Sequence, residues 1–443
     1  MKFFFILIFF TFTACSFDNK SGIWNYEGIS NEKNKNTFKD FKKLSIDREV
    51  FNEEIELKKN FSFKIPTKIT NQKWEDIDFD QSNNFINFAF NERKNLIFKS
   101  KKITNFKLNS GLLYDDGNLI LSDEKGNLII FSVKKNKVIT SYNFYKKKYK
   151  KYKKFKKNLN IILNEGIIYV SDNFGYLYAF DYKSEKILWA IDNKIPFRSN
   201  LKVTKDKLIA SDQNNRIYFF NKDNGNVIRL IPTEETKIKN NFKNNFSLNI
   251  NSVFMLNTYG SLYSIDNNTG NVKWVLNLNQ STDITPSNLF NGHVVINNKN
   301  FLIVASQDAT HIIDPNTGAM SLKLNLVSKV KPLITNNLLF LVSSNNLLIC
   351  VNLITGEIIY SYNIDKKIAE FLEIKEHQAL FKNLMIANNK IMIFLKNSYV
   401  LEFEINGNLE NIFKLPTKIN SNTIFIDNSI YYINHKNKLL ILG

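Results

Sequence analysis

One pattern of runs and turns is written eight times along this chain, and no other feature limits its fold as strongly. The clearest copies are GIIYVSDNFGYLYAFDYKSEKILWAI (166–191) and NSVFMLNTYGSLYSIDNNTGNVKWVL (251–276). Each holds a β-rich run, a turn at Gly or Asn, a second alternating run, a polar turn and a third run. That is the pattern of short strands joined by tight turns. Fainter copies stay in step, so the first inner turn falls at Gly126, Gly175, Asn215, Gly260, Ala309, Asn346, Ser398 and Asn437. The spacing is about 44 residues, the period of a propeller blade with four strands. The runs are too short and too rich in β-branched and aromatic residues for a helical solenoid. The sequence therefore predicts an all-β fold: an eight-bladed β-propeller of four-stranded blades over residues 61–443.

The last copy, SIYYINHKNKLLILG, lacks its third run. An open sheet edge there is a liability. Upstream of the first full copy, FINFAFNERKNLIFKSKKI (85–103) carries strand-like alternation. The expectation is that an N-terminal strand, KNLIF (94–98), supplies the missing outer strand and closes the ring.

A second signature lies inside the copies. An Asp or Asn is followed four residues on by Gly or a substitute, and four later by Trp in the best cases. Asp181, Glu185 and Trp189 show it, as do Asp266, Gly270 and Trp274. Asn221 with Gly225, Asp314 with Gly318 and Asn352 with Gly356 keep its first half, with Arg229, Leu322 and Tyr360 at the Trp place. An Asx side chain caps a turn, Gly takes positive φ, and the aromatic wedges between blades. This spacing resembles the quinoprotein (PQQ-like) propeller repeat. With eight copies and the N-terminus described next, the chain resembles the BamB family of outer-membrane assembly lipoproteins over residues 61 to 443.

The chain begins MKFFFILIFFTFTACS, with Lys2 before an apolar run from Phe3 to Ala14. The run is shorter than the roughly 20 residues a spanning helix needs, and fits the core of a secretory signal. Thr13-Ala14-Cys15 resembles a lipobox, though Phe12 stands where an aliphatic is usual. The expectation is a signal peptide over 1–14, lipidation of Cys15, and a lipidated flexible tether over 15–60 with a short helix near DFKKLSIDREVF. An ordinary cleaved signal is the alternative. Two or more acyl chains anchor a protein stably. Ser16 after the cysteine implies the outer membrane, by resemblance to enterobacterial lipoproteins. Cys350, in LLICVNL, then has no partner for an intramolecular disulfide and reads as a buried strand residue.

The resemblance implies a non-catalytic scaffold without cofactor. It would dock on a periplasmic POTRA domain of a BamA-like barrel protein, as a monomer within a hetero-complex, and help insert barrel precursors. The competing readings are a periplasmic quinoprotein-type (PQQ-dependent) enzyme and a lipoprotein that binds polyanions or a membrane surface. For the enzyme, the family's chemistry implies a buried Ca2+ site of carboxylate and amide oxygens beside the cofactor. His293, His311, His377 and His435 sit in different copies without metal spacing, and no GxSxG, P-loop or GxGxxG occurs. No catalytic or metal-binding residue is assigned.

The net charge is +19, and KKKYKKYKKFKK (146–157) supplies nine lysines of it. Lys146, Lys147, Lys148, Lys150, Lys151, Lys153, Lys154, Lys156 and Lys157 form a candidate contact loop between the first two blades. Like charges keep such a run extended and solvated. A contact with an anionic surface would add roughly 1 kcal/mol per lysine. An exported chain meets no chromosome, so nucleic acid is not the expected partner. A second basic insertion, ETKIKNNFKNNF (235–246), would bracket a partner site with the first if both leave one face.

Overall fold

The computed structural model describes residues 45–46, 53–57, 61–145, 152, 154–235, 237–279, 289–375 and 378–443. Cys15, His377 and Lys146, Lys147, Lys148, Lys150, Lys151 and Lys153 lie outside the described residues.

Eight antiparallel four-stranded blades follow one another along the chain, seven of them running from an inner to an outer strand in sequence order. Blade 1 spans 113–143, blade 2 159–192, blade 3 202–231, blade 4 245–277, blade 5 296–324, blade 6 333–363 and blade 7 381–414. Blade 8 takes three strands from 424–442, and Leu96–Lys99 adds the fourth, Leu96 opposite Leu442 and Lys99 opposite Leu440. The eight-bladed propeller and its closure by an N-terminal strand are as the repeats predict. Ring closure leaves Leu439–Leu442 fully buried instead of presenting an apolar edge.

Alternation fixes which face of each strand meets the next blade. The middle strands are almost wholly buried, as in Leu347–Asn352 and Ser252–Leu256. Sheets packed on both sides select for continuous apolar runs. The outer strands bury only alternate residues, as in Lys186–Asp192. Cys350 is fully buried between its strand neighbours, and burial pushes its thiol far up.

Antiparallel strand order puts the first and third turns of each blade on one face of the ring. The second turn and every connection between blades then share the opposite face. The strands that flank the two basic insertions, ending at Asn143 and Ile231 and starting at Leu159 and Asn245, meet them on one face, here the connection face. That face also carries a helix the repeats do not announce, Ile364–Leu372. Asn363 caps it through Lys366 N, Glu373 closes it at φ 55°, and Ile364 and Ile368 turn inward.

The N-terminal region departs from a simple tether. Ser45–Ile46, where a short helix was expected, is a strand that pairs in parallel with the outer strand of blade 5. Ile55 bridges Ser361 on the outer strand of blade 6, with N–O distances of 2.8 and 2.9 Å. Backbone outside the eight blades thus already extends two blade edges.

The Asx–Gly signature joins one blade to the next. Oδ1 of Asp181, Asp266 and Asp314 each accepts two backbone N–H groups of its own turn. Trp189 of blade 2 lies over Gly225 of blade 3 and donates from Nε1 to Lys222 O at 3.0 Å. Trp274 of blade 4 lies likewise over Gly318 of blade 5, Arg229 over Gly270, and Leu322 over Gly356. Gly318 has φ +76°, and a Cβ there would stand 2.6 Å from the Trp274 ring. Gly318→Ala is expected to cost roughly 1–3 kcal/mol from the left-handed backbone and the lost space together. Urea unfolding measures it, and Trp274→Ala in the same chain relieves part of the cost.

Candidate functional site

The axis of the ring is filled by the protein's own chain. Residues 71–88 run inside it and bond to the inner strand of every blade. Asn71 Nδ2 donates to Phe425 O of blade 8 at 3.1 Å, and Trp74 N to Tyr114 O of blade 1 at 2.8 Å. Leu163 N of blade 2 donates to Glu75 O at 2.8 Å. Gln81 Nε2 donates to Val203 O of blade 3 at 2.8 Å, and Gln81 O accepts from Leu248 N of blade 4 at 2.7 Å. Ser82 O accepts from Asn297 N of blade 5, and Asn84 exchanges two bonds with Ile334 of blade 6. Asn87–Phe88 then pairs in parallel with the inner strand of blade 7. The strand-like FINFAF thus serves the axis, while the following segment serves the rim.

Apolar and charged groups share this plug. Trp74, Phe79, Phe85 and Phe88 pack with ring centroids 4.9–6.3 Å apart, and Phe88 stacks on Phe425 at 5.1 Å. Gly111 makes room for Ile77, whose Cδ1 would stand 2.6 Å from a Cβ there. Lys202 enters from blade 3 with no exposed surface. It meets Asp76 Oδ2 at 2.6 Å, Asp80 O at 2.7 Å and Asn83 Oδ1. Burial pushes the Asp76 carboxyl up, and the Lys202 ammonium opposes that. Lys331 comes from the start of blade 6, donates to Asn83 O at 2.8 Å and lies 3.6 Å from the centre of the Phe85 ring. Burial pushes its amine down to about 8.

The plug divides the axis into two cups. On the turn face a cavity of about 650 Å3 lies between Phe61, Lys64, Ile69 and Phe85 of the N-terminal segment and Asn298, Asn336 and Ile354 of blades 5 and 6. On the connection face a funnel of two adjoining cavities, about 430 and 390 Å3, opens between the starts of the inner strands, with Ile77 and Asp78 as floor. Lys243 lines both.

One of the three described lysines of the run is less solvated than a charge run alone predicts. Lys157 is buried; its Nζ donates to Phe155 O at 2.7 Å and to Tyr152 O, and sits over the Tyr145 ring. Tyr152 and Phe155 pack on Phe174 at 4.5 and 6.5 Å. Tyr152 and Phe155 staple the end of the run to blade 2, so Lys157 leaves the set of contact lysines. Lys154 and Lys156 stay exposed.

The family model for the outer membrane protein assembly factor BamB matches residues 153–362. No curated protein matches the chain in sequence. Among solved structures, BamB from Moraxella catarrhalis is 14% identical with a TM-score of 0.60, over 77% of this chain and 99% of that one. The chain is a BamB-like PQQ-repeat β-propeller. Its neighbours extend to the quinohemoprotein alcohol dehydrogenase of Comamonas testosteroni, 10% identical, TM-score 0.60, over 84% of this chain and 80% of that one. The computationally designed Ika8 protein is also 10% identical, with a TM-score of 0.58, over 78% of this chain and 99% of that one. At such identities these structures share the fold.

A quinone with Ca2+ does not fit this propeller's axis. A flat cofactor enclosed there would collide with Trp74, Phe79, Phe85 and Phe88. Asp76 Oδ2, Asp80 O and Asn83 Oδ1, the oxygens that converge there, already accept from the Lys202 ammonium. Among the described residues no three His, Cys, Asp or Glu side chains gather as a metal site needs. Three of the four histidines are described. His293 Nε2 meets Ser328 O at 2.7 Å, His435 Nδ1 meets Lys418 O at 3.4 Å, and burial pushes His311 down to about 4.

Proposed function

We propose that the chain is a non-catalytic scaffold of the outer-membrane β-barrel assembly machinery. It is lipid-anchored through Cys15 on the periplasmic face of the outer membrane and docks on a POTRA domain of a BamA-like protein. It works as a monomer within that hetero-complex and aids insertion of barrel precursors. The observation that carries this reading is the filled axis: what the molecule offers a partner is its outside, and the family model over residues 153–362 points to barrel assembly.

The outside has suitable material. Val227, Ile228 and Leu230 on the outer strand of blade 3 are each about half exposed, as are Val272 and Val275 on that of blade 4. Unpaired edges with apolar side chains take extended partners by strand addition. Ser45–Ile46 on blade 5 is an example of such an addition within this chain.

The test is a pull-down of the tagged, full-length protein from solubilised membranes, with partners identified by mass spectrometry. Recovery of the BamA-like barrel by the wild type, and its loss on Ile228→Lys and Val275→Lys together, supports docking through these edges. Recovery of no barrel component contradicts the assignment.

A further inference from the structure

Among the described residues, the lysines that line the funnel on the connection face have no carboxylate within ion-pair distance. Its larger cavity is lined by Lys107 and Lys243 with Asn109, Asn158 and Asn420, and by no carboxylate. In the adjoining cavity the one carboxylate of the lining is Asp78, at the floor. Lys243 makes no hydrogen bond or ion pair with any described residue. Its neighbour Arg198 is spent on the carbonyls of Asn240 and Phe242, with no acid beside it. Lys243 keeps exposed surface at the mouth of the funnel; partial desolvation, and after it the Arg198 charge, push its amine down. Lys382 stands near the same rim, donating to Asn420 O at 2.7 Å; burial and Lys396 push it down to about 8.

We propose that this funnel binds a phosphate-bearing ligand, with the Lys243 ammonium engaging the phosphate and the Asn158 and Asn241 amides lining its seat. Two adjacent cations, with Asp78 at the floor as the one lining carboxylate, favour a dianion over a single carboxylate, and a phosphate monoester carries about −1.5 to −2 charges at neutral pH. Lysine holds phosphate as a point charge, and amide N–H groups complete the donors around a tetrahedral oxyanion. The plug closes the far end, so the ligand presents a terminal group and leaves by the way it enters. That selects a headgroup or a small phosphorylated molecule over a threaded polymer.

The inference is independent of docking on a barrel protein, and its test uses no protein partner. The full chain is titrated with glycerol phosphate by calorimetry. Separately, it is floated with phosphatidylcholine vesicles that carry phosphatidic acid. Wild type is expected to bind at least one probe. Lys243→Met is expected to weaken that binding at least about tenfold, the loss of a charged hydrogen bond. Lys156→Met, on the same face but outside the funnel, leaves it unchanged. Binding of glycerol phosphate identifies a free phosphorylated molecule as sufficient, and binding of vesicles alone identifies a lipid-borne phosphate. Two results overturn the proposal: neither probe binds, or the two substitutions weaken binding equally, which is the mark of diffuse surface charge. Unchanged thermal unfolding of Lys243→Met excludes a folding defect.

Discussion

Asp76→Ala is expected to destabilise the propeller by about 3–5 kcal/mol, the cost of leaving a buried charge without its partner. The variant strands the Lys202 ammonium, which has no exposed surface and keeps only Asp80 O and Asn83 Oδ1. Urea unfolding followed by far-ultraviolet dichroism reads the loss. Lys202→Met in the same chain removes the stranded charge and is expected to recover most of it, because an intact buried pair contributes little net stability over an apolar replacement. A cost below about 1 kcal/mol for Asp76→Ala would mean that the plug does not seat the pair in water. Lys331 gives an independent check with its own sign. Its folded pKa of about 8 lies below the ordinary 10.5. Between those values the unfolded chain binds more protons, so this group makes stability rise with pH across that window. Lys331→Met removes that rise.

Removing residues 1–104 is expected to convert a monomer into aggregates, whereas removing residues 1–60 is not. The longer truncation takes away Leu96–Lys99 and bares the outer edge of Leu439–Leu442, four consecutive buried aliphatics. An unpaired, flat, apolar strand templates association with other chains. It also removes the plug, baring Tyr114 and Phe425, which share its apolar cluster. Among the described contacts, the shorter truncation loses the two-residue pairing on blade 5, the bridge on blade 6 and the surface bonds of Glu54 and Leu57 to Asn363, Lys366 and Tyr362. Size-exclusion chromatography with light scattering distinguishes the two. A monomeric, cooperatively folding 105–443 fragment would show that seven complete blades and a three-stranded eighth close without the N-terminal strand.

The ring was legible because it is repeated. A turn that recurs every 44 residues or so states its own strand count, and the half-written last copy pointed to KNLIF as its complement. The plug has no such echo. DIDFDQSNN reads as a polar loop because its meaning lies elsewhere: Asp76 needs Lys202 and Asn84 needs Ile334, 126 and 250 residues away. Lys202 itself looks like one more surface lysine on an edge of VTKDK. The helix Ile364–Leu372 did leave a local trace in its Asn363 cap and the Ile364–Ile368 spacing. The pairing of Ser45–Ile46 left none, since two residues carry no period. Lys157 shows the converse error. A charge run invites reading as solvent-facing, while Tyr145, Tyr152 and Phe155 decide which of its members goes in.

The central claim is that this propeller works by docking on a barrel-assembly partner. The most direct measurement is calorimetric titration of the purified chain with the isolated periplasmic POTRA array of the BamA-like protein from the same organism. The account predicts a saturable one-to-one complex, unaffected by added quinone and Ca2+ because the axis is already occupied. Absence of any complex, with quinone instead bound tightly in the presence of Ca2+, would contradict it.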